Sequence, residues 1–213
     1  MKSSKRLACF GALVLALVLP HAPVWPQGPT PSIGAPAPTS PPAVLDRPTL
    51  VPDAGDPVDG DEVTLPAKPA AILSGSSTWD EGFATLKKAF QRIEAELAKA
   101  GIGPAGRPVT VFTQTDDDGF RYDAMLPIDR APEDRPPNLS PDLRFGTTPS
   151  GRALRFVHRG PYDDIDSTYE TVTAYLDAKN IEVKDFFVEE YVSDLTSADD
   201  ASLEINIFAI PKQ

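Results

Sequence analysis

The chain has 213 residues, 24 of them proline, and carries a net charge of −11 at pH 7. With no long Lys/Arg run beyond the extreme N-terminus, that balance argues against a phosphate-binding groove and so against nucleic acid as a partner. The length suits one mid-sized folded domain with extensions, and the single cysteine, Cys9, can form no disulfide within the chain.

Lys2, Lys5 and Arg6 precede the apolar run Leu7 to Leu19, and Pro20-His21-Ala22 follows with a helix breaker and a small residue. This is the pattern of a signal peptide over residues 1–22. The apolar run is shorter than the ~20 residues that span a bilayer, so cleavage is the reading preferred over an uncleaved anchor. A periplasmic or secreted protein is expected, with no membrane span after cleavage. Residues 23–61 are rich in Pro, Ala, Thr, Gly and Asp and show no helical or strand period. They read as a disordered Pro-rich linker.

The folded domain is expected over 62–213. Val63 to Thr78 is strand-like, with Pro66 and Pro69 confining it to an edge or splitting it. A helix follows, with Asp80 as N-cap and the apolar stripe Phe83, Leu86, Phe90, Ile93 and Leu97, ended by Gly101 and Gly103-Pro104. Val109 to Thr115 and Phe120 to Ile128 read as a hairpin around Asp116-Asp117-Asp118-Gly119. That acidic run lacks the spaced ligands of a calcium loop and is expected to be a turn. Leu143 to Thr147 and Arg152 to His158 read as strands around a Pro149-Ser150-Gly151 turn. A second helix carries Ile165, Tyr169, Val172 and Leu176 and closes at Asn180. Strands Phe186 to Asp194 and Leu203 to Ile210 complete the chain.

The two halves repeat one pattern. Phe83 falls on Tyr162, Phe90 on Tyr169, Leu97 on Leu176, Ile102 on Ile181 and Phe112 on Tyr191, each 79 positions apart. Repeat 1 spans about 62–130 and repeat 2 about 142–213. The fold class is therefore α+β: duplicated β-α-β-β units forming one pseudo-two-fold antiparallel-sheet domain, two helices on one face and a groove on the other.

Strand alternation puts Phe187, Glu189 and Tyr191 on one face and Val188, Glu190 and Val192 on the other. A carboxylate between two rings needs a partner, a proton, or a ligand. Arg155 or solvent could supply the partner, whereas Glu190 is expected to be solvated or to cap the helix layer. Glu189 is matched by Thr110 in the first copy, so one acid stands near the pseudo-axis. Such a site suits a cationic or hydrogen-bond-donating small molecule, with Glu189, Tyr191, Phe187, Phe112, Tyr162 and Trp79 as candidate ligand-binding residues. Once residues 1–22 are removed His158 is the one histidine left, and with no cysteine beside it a metal or haem site is not expected. It reads as a turn or rim residue, and no cofactor is expected.

Phe156-Val157-His158-Arg159-Gly160-Pro161-Tyr162, then a helix, then Glu189-Glu190-Tyr191-Val192-Ser193-Asp194 resembles the GyrI-like (gyrase-inhibitor-like) effector-binding domain family of bacterial transcription activators. The matching features are a His-x-Gly-Pro-Tyr-like turn and a Glu-x-Tyr-x-x-Asp strand, and the resemblance covers about Glu62 to Lys212. It implies a central groove for small aromatic or cationic molecules, with Glu189 at its floor and Tyr191 beside it. Family members are often fused to helix-turn-helix domains. This chain is expected to depart from them, with an export signal and no such domain. Some relatives are similar to hydrolases of reactive, cyclopropane-type electrophiles; in that case Glu189 would act as general base and Tyr191 as hydrogen-bond donor.

Overall fold

The computed structural model describes residues 47–55 and 60–212. The expected signal peptide and most of the expected linker lie outside the described residues. The elements are β1 (Asp61–Leu65), β2 (Pro69–Thr78), α1 (Gly82–Lys99), β3 (Val109–Thr115), β4 (Gly119–Pro127), β5 (Leu143–Thr147), β6 (Gly151–Arg159), α2 (Ile165–Ala178), β7 (Val183–Tyr191) and β8 (Glu204–Pro211). A 3-10 turn at Tyr162–Asp164 leads into α2. All strands join one antiparallel sheet in the order β1-β6-β8-β7-β3-β4-β2-β5. The α+β architecture expected from the repeat is the one observed.

The order has a two-fold symmetry centred between β3 and β7. There Val109 pairs with Glu190, Thr110 with Glu189 and Val111 with Val188. Moving each residue by the repeat offset exchanges the first pair with the third and returns the middle pair to itself. Thr110 and Glu189 therefore face each other across the pseudo-dyad. The helix ends repeat too. Gly101 and Asn180 both adopt left-handed φ values, 68° and 52°. The amides of Ile102 and Ile181 then donate back to the Leu97 and Leu176 carbonyls. Both are Schellman closures, for which Gly or Asn is the residue of least steric cost.

Three local expectations are corrected. Pro66 and Pro69 split the first strand segment so completely that β1 and β2 lie at opposite halves of the sheet. The Pro149-Ser150-Gly151 turn likewise does not fold β5 onto β6. Instead β5 pairs with β2 of the first copy, and β1 pairs with β6 of the second. Each copy thus contributes its leading strand to the other's edge. The α1 N-cap is Glu81 rather than Asp80, and it makes no side-chain cap.

Alternation divides the core between the two faces. Leu73, Leu86, Phe90, Ile93, Leu126, Phe156, Val172, Leu176, Ile205 and Ile207 pack with the helices, whereas Ile72, Val109, Val111, Met125, Val188, Phe208 and Ile210 fill the far face. The far face is covered in part by residues 47–55, which composition alone places in the linker. Leu50 is buried there, and its amide donates to Glu190 Oε1 at 2.5 Å. Asn206 Nδ2 donates to Glu190 Oε2 at 2.9 Å. Arg155 donates to the Asp53 carbonyl at 2.5 Å and pairs with Asp61 at 3.0 Å. This strap passes so close to β6 that a Cβ on Gly55 would sit 2.4 Å from Val157 Cγ2. Glu190 is fully buried, correcting the expectation of a solvated or capping residue. Arg155 serves the strap and is not the partner of Glu189.

If the strap is an integral part of the fold, Leu50→Ala leaves a cavity beside Val188 and Phe208. The expected cost is about 2–3 kcal/mol, read as a lower urea midpoint at unchanged slope. A midpoint equal to wild type would show that residues 47–55 add nothing to the domain.

Candidate functional site

Glu189 occupies β7 on the face that the helices cover, not on the far face that residues 47–55 partly cover. Its side chain is 1% exposed. Three phenols converge on it. The Tyr169 hydroxyl, from α2, donates to Oε1 at 2.8 Å, and the Tyr191 hydroxyl, from β7, donates to Oε2 at 2.7 Å. The Tyr162 hydroxyl, from the turn before α2, reaches Oε2 at 3.5 Å. Among the described residues no Lys, Arg or His forms an ion pair with it.

Each tyrosine has a phenylalanine at the matching position of the first copy: Phe83 for Tyr162, Phe90 for Tyr169 and Phe112 for Tyr191. The pairs differ by a hydroxyl, and all three hydroxyls are aimed at the one carboxylate. The rings also meet across the dyad. Phe83 and Tyr162 lie 5.4 Å apart, and Phe90 meets the Tyr191 edge at 5.3 Å. Because Phe83 and Tyr162 are symmetry mates, their contact sits on the axis, as the Thr110–Glu189 pair does. The site therefore has Thr110 and Glu189 as its floor, a polar wall from the second copy and an apolar wall from the first.

The expected residues fall into place unequally. Phe187 stacks edge-on against Tyr169 at 5.3 Å, and the pairing of Phe187, Glu189 and Tyr191 with Ala209, Ile207 and Ile205 sets all three on one face of β7. Phe112 connects outward through Phe120 at 5.1 Å to Trp79 at 5.1 Å. Trp79 is 49% exposed and donates from Nε1 to the Asp116 carbonyl at 2.9 Å. It belongs to the rim of the first copy, two ring contacts from Phe112. Asp116 closes a hairpin turn with Asp118 and Gly119, as expected. His158 is buried, not at a rim: Nε2 donates to the Pro161 carbonyl at 3.0 Å, and Nδ1 shares a hydrogen bond with the Thr168 hydroxyl at 2.8 Å. It pins the start of α2 to β6 and so fixes Tyr162 and Tyr169.

Tyr169 was missed as a site residue because its place in the helical stripe reads as core. The signal was present in the repeat, where three Phe positions align with three Tyr. The loop 192–203 holds Tyr162 from outside. The Tyr162 amide donates to the Ala198 carbonyl at 2.7 Å, and Lys87 of α1 donates to the Thr196 carbonyl at 2.6 Å.

Burial opposes the charge on Glu189 and the three phenolic hydrogen bonds favour it. Burial is the larger effect, and the carboxyl is pushed up from 4.5 to about 7. The hydroxyls of Tyr162, Tyr169 and Tyr191 are held well above their ordinary 10 by burial and then by the neighbouring carboxylate. They stay protonated as donors. Burial also raises Glu190, against the hydrogen bonds from Asn206 and Leu50.

A raised carboxyl means that the folded chain binds its proton more tightly than the unfolded chain. The stability contribution is fully present below pH 4.5 and is lost as pH rises through about 7. Over that window the loss is on the order of 3 kcal/mol. Glu189→Gln should therefore be more stable relative to wild type at pH 8 than at pH 5, the Glu190 contribution being common to both. Paired thermal melts at the two pH values check this, and a constant difference would contradict the assignment.

No curated protein matches the chain. Among solved structures, the C-terminal domain of EcmrR superimposes with a TM-score of 0.60 at 11% identity, covering 73% of this chain and 98% of that one. EcmrR in a DNA complex gives 0.61 at 14% identity over 73% of this chain, and the match spans 57% of the EcmrR chain. A protein described as a hydrolase from Listeria innocua gives 0.51 at 12% identity, with 74% and 94% covered. At these identities the likeness is one of fold. The sequence itself matches the family described as the GyrI-like small molecule binding domain over residues 61–209, and with the duplicated unit and the enclosed acid at its dyad, the chain belongs to that family.

Proposed function

We propose that this domain binds lipophilic or cationic aromatic compounds over Glu189, in a chain exported by residues 1–22. The carrying observation is an enclosed carboxylate that accepts three phenols and has no cationic partner among the described residues. The protein has already met the cost of removing the acid from water. An entering cation gains the Coulomb attraction that the hydroxyls cannot supply, and the rings of Phe83, Phe90, Phe112 and Phe187 add cation–π contacts. Tyr162 is the side chain placed to yield, having the longest bond to Glu189 and partial exposure. The net charge of −11 favours cations at long range and supports a role without nucleic acid.

Binding a cation selects the ionised form of Glu189, so affinity should rise as pH climbs through about 7 and level off above it. Calorimetry with a cationic aromatic dye at pH 6 and pH 8 reads this directly. Glu189→Gln should weaken the dye about tenfold or more, the equivalent of ~1.4 kcal/mol, and remove the pH dependence. Unchanged affinity in the folded variant would sink the assignment.

A second reading is hydrolysis of reactive cyclopropane-type electrophiles. It is favoured by one feature, a carboxyl near pH 7 with a phenol 2.7 Å away. Glu189 would take a proton from the attacking water, and Tyr191 would donate to the developing anion. Turnover lost in both Glu189→Gln and Tyr191→Phe would establish it, and stoichiometric binding with no product would exclude it.

A further inference from the structure

Thr110 is the symmetry mate of Glu189 and its direct cross-strand neighbour, and both are buried. Directly opposed residues on antiparallel strands hold their Cβ atoms roughly 4.5–5.5 Å apart on one face. Position 110 is thus where the first copy would present a second carboxylate to the same ligand, and a hydroxyl stands there instead. That hydroxyl is in use. Tyr191 has one proton, and the charged oxygen of Glu189 at 2.7 Å is the stronger acceptor. With Glu189 ionised, the 3.3 Å contact between Tyr191 and Thr110 Oγ1 is therefore a bond donated by Thr110 to the Tyr191 oxygen. Thr110 keeps the phenol turned toward Glu189 and adds no charge.

We infer that Thr110 is a specificity-determining residue that restricts the site to ligands carrying one positive charge. The inference rests on the cation-binding reading above. A flat dication that pairs one charge with Glu189 places the other against the first-copy wall of Phe83, Phe90 and Phe112. Those rings offer cation–π attraction but neither a counter-charge nor a hydrogen-bond acceptor, so the second charge is desolvated without the partner that a buried ion requires. The deficit decides against the dication.

The test compares methyl viologen, a dication, with methyl-phenylpyridinium, which has the same biaryl skeleton and one charge. Binding of each is measured by calorimetry to the wild-type chain, Thr110→Glu and Thr110→Val. Wild type is expected to prefer the monocation by about tenfold or more, and Thr110→Glu to bring the two within about threefold or to reverse them. Thr110→Val, which loses only the hydroxyl that orients Tyr191, should weaken both cations by a similar factor and keep the preference. Equal wild-type affinities, an unchanged ratio in a folded Thr110→Glu, or a lost preference in Thr110→Val would each overturn the inference and leave cation binding standing. A wild-type chain that binds neither compound would overturn the binding reading itself.

Discussion

The site depends on a carboxylate held out of water without a counter-charge. Glu189 keeps its place because three hydroxyls donate to it, and those hydroxyls can be there only because α2, the turn before it and β7 meet at one point. His158 ties the start of α2 to β6, and the loop 192–203 ties the turn to the sheet. Hydrogen bonds to a charged acceptor contribute roughly 1.5–3 kcal/mol each, and burial of an ion costs several. Two short bonds and one long one leave the acid near balance, which is what a carboxyl at about 7 expresses. A lysine in the same place would have satisfied the charge and removed the reason for a ligand.

Duplication made that balance possible. A single β-α-β-β unit presents one helix and two open sheet edges, one of which pairs at the dyad while the other receives the leading strand of the other copy. When β3 and β7 pair, the position shared by Thr110 and Glu189 gains walls from both copies. The copies then differ where symmetry would otherwise have imposed sameness. Two carboxylates facing each other at the dyad would repel at low dielectric unless a dication lay between them, so one acid and one neutral residue is the arrangement that an empty site holds at least cost. The three Phe/Tyr differences follow the acid: hydroxyls appear on the wall that needs donors and are absent from the wall that does not.

Much of this was legible in the amino-acid order because it is local or periodic. The helices, the β3–β4 hairpin, the repeat and the alternation that isolates Glu189 between Phe187 and Tyr191 depend on spacings of two, three or four residues and one long offset. What escaped depends on pairing at a distance. The exchange of β1 and β5 between copies is decided by which edges are open after the dyad forms, and Pro66 and Thr148-Pro149 show only that each segment turns away. The Lys68 amide donates to Thr148 Oγ1, and the Thr148 amide to the Lys68 carbonyl, so the two crossing segments lock each other. Residues 47–55 read as linker because their apolar content is small; Leu50 packs because Glu190 offers its amide an acceptor on the far face. Tyr169 read as core because in a helix stripe a buried phenol and a buried phenyl look alike.

β7 carries two adjacent buried acids, and burial alone does not say which of them the cation-binding proposal should take. The donors do. Glu190 is held by a backbone amide of the strap and by the carboxamide of Asn206, groups fixed by packing on the far face. To displace them is to undock residues 47–55. Glu189 is held by phenols at the ends of rotatable side chains, one of them partly exposed and at the limit of hydrogen-bond length. On the cation-binding proposal it is Tyr162, partly exposed and the most weakly bonded of the three, that gives way to a ligand. Neighbours of one chemistry are thus held in different ways, Glu190 by backbone and carboxamide groups of the scaffold and Glu189 by phenols that rest against it.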